Sequence, residues 1–434
     1  MSESVKTISH KKKDSSVNTH KLMSKIAEDA RQSSFSLSTA NTRLKNDALL
    51  LISENLTKQK KYIQSENQID VSNAREKGLA DAMVDRLVLN EKRINSMVEG
   101  LREVTKLNDP VGEITKMWKR PNGLSVGQMR IPLGVISIIY ESRPNVTVDA
   151  AGLCLKAGNS VILRGGSEAF NSNHALGSII SDALKEVGLP EKAVQIVPVT
   201  DRNAILDMLK LDELIDLVIP RGGEGLIRFV TENSRIPVLK HYKGVCHVYV
   251  DESADIRLAT DIAVNSKTQR PGVCNALETL LVDKKIAKKY LPVLVKELNN
   301  LGVTIKSCKN TKKILPDTVL AKDNDFYEEY LDLILNIKIV DGISEAIEHI
   351  EKYGSMHTES IVTESYENSQ YFIKRVNSSA VMVNASTRFN DGFELGLGAE
   401  IGISTSKLHA YGPMGLEELT SKKFIVYGDG QVKE

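Results

Sequence analysis

The spacing of hydrophobic residues divides the chain into regions. Over residues 21–108, apolar side chains recur every three or four positions, a spacing that places them on one face of a helix. One such run is Leu44, Ala48, Leu51, Ile52 and Leu56. Ser38 or Thr39 is expected to cap the second of these helices. The pattern therefore predicts an N-terminal region of amphipathic helices.

Short apolar runs alternate with amphipathic segments after this region. Strands are predicted at Val135–Tyr140 and at Ser160–Arg164, and further strands and helices follow in turn. A second alternating region starts near residue 240. Because such alternation is typical of parallel sheets covered by helices, the predicted fold class is α/β, with two doubly wound α/β domains.

Two further segments are expected to be strands outside this alternation. A polar turn at residues 121–123 precedes residues 124–130, which are predicted as one arm of a hairpin. Near the C-terminus, residues 424–427 are predicted as an edge strand.

The charge balance and the hydropathy exclude some classes of partner. Lys and Arg number 57 and Asp and Glu number 56, so the net charge is +1. Nucleic-acid binding calls for a basic surface, so a nucleic-acid partner is not expected. No apolar run approaches the ~18 residues of a membrane helix, so no membrane partner is expected.

The N-terminus and the cysteines bear on the cell compartment. Residues 1–20 are polar and lack the apolar stretch of a secretory signal, so a disordered tail is predicted there. The four cysteines include no CxxC pair, which disfavours a zinc ribbon or a thioredoxin-type redox pair. A reducing compartment and a cytoplasmic location are therefore expected.

Glycine pairs follow two of the predicted strands. The two turns consist of Arg164, Gly165, Gly166 and Ser167, and of Arg221, Gly222 and Gly223. Backbone N–H groups at a helix N-terminus, with an arginine beside them, suit a phosphate. Neither GxGxxG nor the P-loop motif occurs, so an ordinary dinucleotide fold is disfavoured. Glycines that serve only a tight turn are the alternative.

Cys274 differs from the other cysteines in its setting. It follows the helix-breaking Pro271 and Gly272 and precedes a predicted strand, so it is expected on an accessible loop. Lys267 and Arg270 would favour its thiolate, which makes it a candidate nucleophile. A buried, inert thiol is the alternative, because free cysteines are usually buried.

The remaining cysteines and the histidines suggest no further chemistry. Cys154 and Cys246 lie in apolar segments and are expected in the core, whereas Cys308 is expected at the surface. The eight histidines never fall at HxH or HxxxH spacing near carboxylates, so no metal site is predicted.

Several longer motifs occur in a fixed order along the chain. They occupy residues 130–149, 158–168, 219–223, 265–276, 384–392 and 395–403. Together they resemble the aldehyde dehydrogenase superfamily and, more closely, its gamma-glutamyl phosphate reductase family. The resemblance covers the chain from about residue 21 to the C-terminus.

This resemblance implies a three-part organisation. An NADPH-binding domain would comprise residues 21–121 and 135–239, and a catalytic domain would comprise residues 240–383. Residues 122–134 and 404–434 would form a β-hairpin oligomerisation arm. A homo-oligomer is therefore expected, and a glutamate kinase would be a further partner.

The resemblance also implies an activity, namely reduction of L-glutamyl 5-phosphate by NADPH to L-glutamate 5-semialdehyde and phosphate in proline biosynthesis. Cys274 matches the family nucleophile and would form a thioester with the substrate. Asn145 matches the asparagine whose amide, with the Cys274 N–H, would hold the oxyanion.

Substrate contacts are expected from residues inside the same motifs. Arg143, Arg270 and Arg388 would bind the anionic groups of the substrate. Ser386 and Thr387 match the loop beyond the nucleophile and would hydrogen-bond the glutamyl tail. Solvated surface arginines are the alternative for the three cations.

Two departures from the hydrolytic aldehyde dehydrogenases favour reduction with NADPH. His241 stands where those enzymes carry the glutamate that activates water, so the general base for thioester hydrolysis is missing. Arg164 and Ser167 would accept a 2′-phosphate where NAD-dependent members often carry a carboxylate. The alternative for His241 is a purely structural role. The alternatives for the protein are another CoA- or phosphate-linked dehydrogenase and a non-catalytic binder.

Overall fold

The computed structural model describes residues 3–433, apart from the side chains of residues 3–18 and of residue 82. A disordered tail was predicted for residues 1–20, whereas the backbone of residues 3–20 belongs to a helix that runs to residue 37. Within the described part of the chain, no helix combines the length and the apolar character needed to cross a bilayer.

The helices are numbered in chain order. They are α1 Glu3–Leu37, α2 Thr42–Lys58, α3 Lys60–Glu76, α4 Asp81–Leu87, α5 Glu91–Lys106, α6 Asn145–Lys156, α7 Phe170–Glu186, α8 Asn203–Met208, α9 Glu224–Asn233, α10 Ile256–Thr268, α11 Lys284–Asn300, α12 Lys309–Lys312, α13 Gly342–Tyr353 and α14 Tyr366–Arg375. Short 3-10 turns lie at Ser167–Ala169, Glu191–Ala193, Asp323–Tyr327, Thr387–Phe389 and Glu417–Leu419.

The strands are numbered in the same way. They are β1 Ile114–Lys119, β2 Ser125–Pro132, β3 Val135–Tyr140, β4 Ser160–Arg164, β5 Val194–Ile196, β6 Leu217–Arg221, β7 Cys246–Val250, β8 Leu277–Asp283, β9 Thr304–Ser307, β10 Val319–Leu320, β11 Ile334–Val340, β12 Thr358–Val362, β13 Ala380–Val383, β14 Ile403–Ser404, β15 Gly412–Pro413 and β16 Thr420–Tyr427.

The chain folds into two compact units. Unit 1 comprises Met1–Leu239, Leu397–Gly402 and Met414–Glu434. Unit 2 comprises Lys240–Gly396 and Ile403–Pro413.

The helical region predicted for residues 21–108 is confirmed in unit 1, but the predicted cap of α2 is wrong. Asn41 is the cap residue, because its side chain accepts a hydrogen bond from the Leu44 amide at 2.9 Å. The hydroxyls of Ser38 and Thr39 instead donate back to carbonyl oxygens at the end of α1. Both residues therefore finish one helix and do not start the next.

A parallel sheet in the order β5-β4-β3-β6 forms the centre of unit 1. Residues of one face, among them Ile139 and Ile162, pack against Met23 of α1 and Met208 of α8. Ile138, which points the other way, is fully buried as well. Because β3, β4 and β6 are parallel, the loops that follow them leave the sheet at the same edge, where parallel α/β sheets bind ligands.

A three-stranded antiparallel sheet in the order β1-β2-β16 completes unit 1. The predicted edge strand at residues 424–427 is confirmed and is longer than expected. Strand β1 was not predicted, because its residues alternate in polarity within a charged stretch. Phe424 packs edge-on against Trp118 at 6.4 Å between ring centroids, yet it remains 66% exposed.

Unit 2 contains a seven-stranded parallel sheet in the order β10-β9-β11-β8-β7-β12-β13. Alternate residues of β7 face opposite layers, since Val248 packs with α10 and α11 whereas Tyr249 stacks on Phe372 of α14. Burial of both faces is typical of parallel sheets. The prediction of two doubly wound α/β domains is therefore confirmed.

Candidate active site

Cys274 lies on the loop between α10 and β8 of unit 2. Helix α10 ends at Thr268, the chain turns through Pro271 and Gly272, and β8 begins at Leu277. The Cys274 side chain is half-buried. The accessible loop predicted for this residue is therefore confirmed.

Two neighbouring residues contact the backbone of Cys274. Cys246, fully buried in β7, donates its thiol to the carbonyl oxygen of Cys274 at 3.2 Å. Gly244 approaches so closely that a Cβ at this position would lie 1.9 Å from the same oxygen. Only glycine permits this contact, so the backbone of the nucleophile has little freedom to move.

A buried ion pair joins the two elements on either side of this loop. Lys267, in the last turn of α10, lies 2.8 Å from Glu278 of β8, and both side chains are fully buried. Burial raises the pKa of Glu278 to about 7, even though the neighbouring Lys267 acts to lower it. The ammonium of Lys267 is thus engaged by Glu278, whereas the sequence suggested that it would support the thiolate.

Arg388 supplies a cation beside the nucleophile loop. Its Nε donates to Gln269 at 2.9 Å, and its guanidinium also bonds the side-chain oxygen of Asn275. Burial lowers the pKa of Arg388, as does the neighbouring Arg270, whereas the nearby Cys274 raises it. Two of the three predicted arginines are therefore grouped next to Cys274.

Ser386 and Thr387 are buried behind this loop. The Ser386 hydroxyl lies 3.0 Å from that of Ser266 in α10 and accepts a hydrogen bond from the Arg388 amide. The Thr387 amide donates to Ser266 as well. These contacts favour a role in holding the loop of Arg388 in place, in contrast to the predicted contact with the glutamyl tail.

Two histidines lie next to Cys274. One ligand atom each from His241, His357 and Cys274 falls within 4.8 Å of the other two. His241 and His357 meet edge to face at 5.5 Å between ring centroids. Burial, and to a smaller extent the neighbouring His241, lowers the pKa of His357 to about 3. His357 was not singled out by the sequence, since it is distant along the chain from both neighbours.

His247 lies apart from this cluster. It is fully buried in β7, and its Nδ1 lies 2.9 Å from Glu359 of β12. These contacts indicate a structural role for His247.

The first glycine turn of unit 1 follows β4. Arg164 is buried, and its guanidinium donates to the carbonyl oxygens of Gly165 and Thr200. Its Nε has no hydrogen-bond partner among the described residues. Ser167 is exposed at the start of the following 3-10 turn.

Glu168 lies one position beyond Ser167, and its carboxylate lies against the glycine turn. Its carboxylate accepts hydrogen bonds from the amide and the hydroxyl of Ser142, at 2.8 and 2.6 Å. A Cβ on Gly166 would lie 2.1 Å from the same carboxylate. Gly166 therefore leaves room for Glu168 to accept hydrogen bonds from Ser142, in the loop after β3.

The second glycine turn joins β6 to α9. The Gly223 amide donates to the carboxylate of Glu141 at 3.0 Å, and Gly222 leaves room for that carboxylate. Arg221 packs against Gly402, where a Cβ would lie 2.2 Å from its guanidinium. An anionic group thus already accepts a hydrogen bond from the N-terminus of α9, as the dipole of the helix favours.

Asn145 begins α6 in unit 1. Its side-chain amide donates to Asp149, one turn further along the helix, at 3.0 Å. Arg143 is exposed in the loop between β3 and α6. Because β3 lies between β4 and β6, both residues share the sheet edge of the two glycine turns.

Comparisons with known proteins place this geometry in context. A model described as the aldehyde dehydrogenase family matches residues 19–314. A gamma-glutamyl phosphate reductase of Thermodesulfovibrio yellowstonii is 60% identical over 408 residues, which cover 94% of this chain and 98% of that protein. A reductase of the same name from Geobacter metallireducens is 58% identical over 409 residues, with the same two coverages.

A solved structure is similar as well. The crystal structure of gamma-glutamyl phosphate reductase from Thermotoga maritima matches with a TM-score of 0.93 and 51% identity. The match covers 95% of this chain and 100% of that one.

Proposed function

Because this chain belongs to the aldehyde dehydrogenase family, in its gamma-glutamyl phosphate reductase branch, we propose that it reduces L-glutamyl 5-phosphate to L-glutamate 5-semialdehyde with NADPH. It is an oxidoreductase of proline biosynthesis. The observation that carries the proposal is Cys274, held on a constrained loop beside Arg388, in a chain 60% identical to such a reductase.

Cys274 is the proposed nucleophile. Its thiolate attacks the carbonyl carbon of the acyl phosphate, the bond from that carbon to the phosphate oxygen breaks, and a thioester forms. Inorganic phosphate leaves with the bonding electrons. The contacts of Gly244 and Cys246 with the Cys274 carbonyl support this role, because a fixed backbone keeps the sulfur aligned with the carbonyl carbon.

Arg388 and Arg270 are the proposed partners of the negative charge at this site. Two cations beside the nucleophile stabilise both the thiolate and the departing phosphate. The bonds of Arg388 to Gln269 and Asn275 support this role, since they orient its guanidinium in advance. Arg143 is proposed as a further contact to the substrate.

The two glycine turns of unit 1 are the proposed cofactor site. A nicotinamide cofactor, when bound, supplies the hydride that turns the thioester into the aldehyde. The first turn fits such a group, since the buried Nε of Arg164 lacks a partner among the described residues. At the second turn, a phosphate would have to replace the Glu141 carboxylate that accepts a hydrogen bond from the Gly223 amide. The exposed Ser167 supports NADPH, because a 2′-phosphate would meet no carboxylate at this position.

The thioester must survive until it is reduced. His241 stands where hydrolytic relatives carry the glutamate that activates water, so no carboxylate base is supplied at that position. Asn145 remains the proposed donor to the oxyanion, and the thiolate leaves again as the aldehyde forms.

The antiparallel sheet of β1, β2 and β16 is the proposed oligomerisation arm. Large apolar side chains of β16, including Phe424, Val426 and Tyr427, are each more than half exposed. An exposed apolar strand is suited to contact with a second copy of the chain. A glutamate kinase is proposed as a further partner, which would deliver the labile acyl phosphate.

Replacement of the nucleophile tests the proposal. Cys274→Ser should lower turnover by at least about 1,000-fold, because a serine hydroxyl is a far weaker nucleophile at neutral pH. NADPH binding, followed by fluorescence titration, should be unchanged. Cys308→Ser is the matched control, since Cys308 is also half-buried in unit 2 and its thiol caps α12. A Cys274→Ser variant with near-normal turnover would refute the mechanism.

A further inference from the structure

His241, Cys274 and His357 together could ligate a metal ion, and the proposed reduction of an acyl phosphate requires no such ion. We propose that these three side chains form a binding site for a thiophilic divalent cation such as Zn²⁺, which reversibly blocks the nucleophile. The inhibitory effect rests on the proposed function, whereas binding of the cation does not.

The donor set suits zinc. One thiolate sulfur and two imidazole nitrogens are typical zinc ligands, with Zn–S bonds of about 2.3 Å and Zn–N bonds of about 2.0 Å. A tetrahedron with such bonds places its ligand atoms roughly 3.5 Å apart. The three atoms here already lie within 4.8 Å of one another, so each pair has to approach by about 1.3 Å at most.

The three side chains differ in burial. His241 and Cys274 are half-buried, whereas His357 is fully buried. Water would occupy the fourth position of the tetrahedron.

His357 is prepared to act as a ligand. Its Nδ1 lies 2.7 Å from the Thr358 hydroxyl, which fixes the ring as partners of zinc-binding histidines do. Its Nε2 is buried and has no hydrogen-bond partner among the described residues. A buried polar atom without a hydrogen-bond partner is unfavourable, so a cation bound to this nitrogen would offset that free-energy cost.

Cobalt provides a spectroscopic test that does not depend on turnover. The full chain, reduced with a phosphine, is titrated with Co²⁺, which replaces Zn²⁺ at such sites. We expect one equivalent to produce a thiolate-to-cobalt charge-transfer band that is absent in Cys274→Ser. Binding should weaken by about tenfold or more in His357→Asn and in His241→Asn. His349→Asn, at another buried histidine of unit 2, should bind as the wild type does.

Two results would overturn the site, namely a band that persists in Cys274→Ser or a His357→Asn affinity within about twofold of the wild type. If His357→Asn does not fold, alkylation of the wild type decides the question. Zn²⁺ should protect Cys274 but not Cys308 from iodoacetamide, and equal labelling of Cys274 with and without Zn²⁺ would contradict the site.

The activity measurement separates inhibition from binding. Zn²⁺ should inhibit turnover, a chelator should restore it, and His241→Asn should raise the inhibitory concentration by about tenfold or more. Zn²⁺ that binds with the expected band but leaves turnover unchanged would refute the inhibitory effect. If Cys274→Ser retains turnover, the proposed function fails, while the cobalt band still reports on the site.

Discussion

Gly244 restricts the position of the Cys274 backbone. A methyl group there would lie 1.9 Å from the Cys274 carbonyl oxygen and 2.8 Å from its Cα, so the backbone of the loop would have to move. We expect Gly244→Ala to lower kcat by about 100-fold, because a displacement of about 1 Å in a reacting group costs that much. Steady-state kinetics measure this effect.

Gly272 offers the matched control for this substitution. It lies in the same loop, but among the described residues a Cβ there would meet only the Leu331 carbonyl oxygen at 3.7 Å, an ordinary contact. Gly272→Ala should therefore stay within about threefold of the wild-type kcat. Equal losses in Gly244→Ala and Gly272→Ala would show that the loop tolerates no added methyl group, which contradicts the specific role of Gly244.

Ser167 tests the choice of cofactor. Ser167→Glu places a carboxylate at an exposed position beside the proposed 2′-phosphate site, so it should weaken NADPH binding by about tenfold or more through charge repulsion. NADH binding should be unchanged or tighter. Ser167→Ala is the control, since it removes the hydroxyl without adding charge. Equal effects of Ser167→Glu on both cofactors would contradict the assignment.

At the residue scale, the sequence pattern identified features that depend only on residues adjacent along the chain. The loop of Cys274 and the glycine turns were visible because turn residues and glycines mark breaks between elements. Arg388, Asn275 and Gln269 meet only through the fold, as do His357 and Cys246. No spacing rule finds partners that are separated by dozens of residues.

At the scale of elements, the ion pair between α10 and β8 makes a prediction about pH. Burial raises the pKa of Glu278 to about 7, above its ordinary 4.5. The folded protein therefore keeps a proton that the unfolded chain releases between these values. The free energy of unfolding of the wild type should fall relative to Glu278→Gln across that range, by up to about 1.4 kcal/mol per pH unit, and level off above it.

Urea unfolding of both proteins across the range measures this difference. Glu252→Gln is the control, since Glu252 forms an exposed pair with Lys285 that solvent screens. A wild type that instead gains stability over Glu278→Gln as the pH rises would show that attraction by Lys267 outweighs the burial of Glu278.

The strength of the hydrophobic pattern decided which elements could be predicted. Strands β3 and β4 were predicted with their observed bounds, because every residue in them is buried and apolar runs mark such strands. Strand β1 was missed, since a half-exposed ribbon carries lysines between its apolar residues. The cap of α2 was misplaced because two hydroxyl residues precede the true cap, Asn41.

At the scale of the whole molecule, the two units divide the proposed chemistry. Unit 2 carries the nucleophile with its arginines and histidines, and unit 1 carries the glycine turns and Asn145. The alternation of strands and helices predicted two α/β domains. The pattern could not predict that residues 397–402 and 414–434 return to unit 1, because that depends on contacts distant in sequence.

The reverse reaction tests the central claim most directly, since the forward substrate is labile. Purified protein, glutamate 5-semialdehyde and NADP⁺ are mixed, and absorbance of the reduced cofactor is followed with and without inorganic phosphate. If Cys274 forms a thioester that only phosphate can release, reduction of NADP⁺ beyond the first turnover should depend strictly on phosphate. Sustained reduction without phosphate would mean that water releases the thioester, and the account of His241 and of the acyl-phosphate reaction would be wrong.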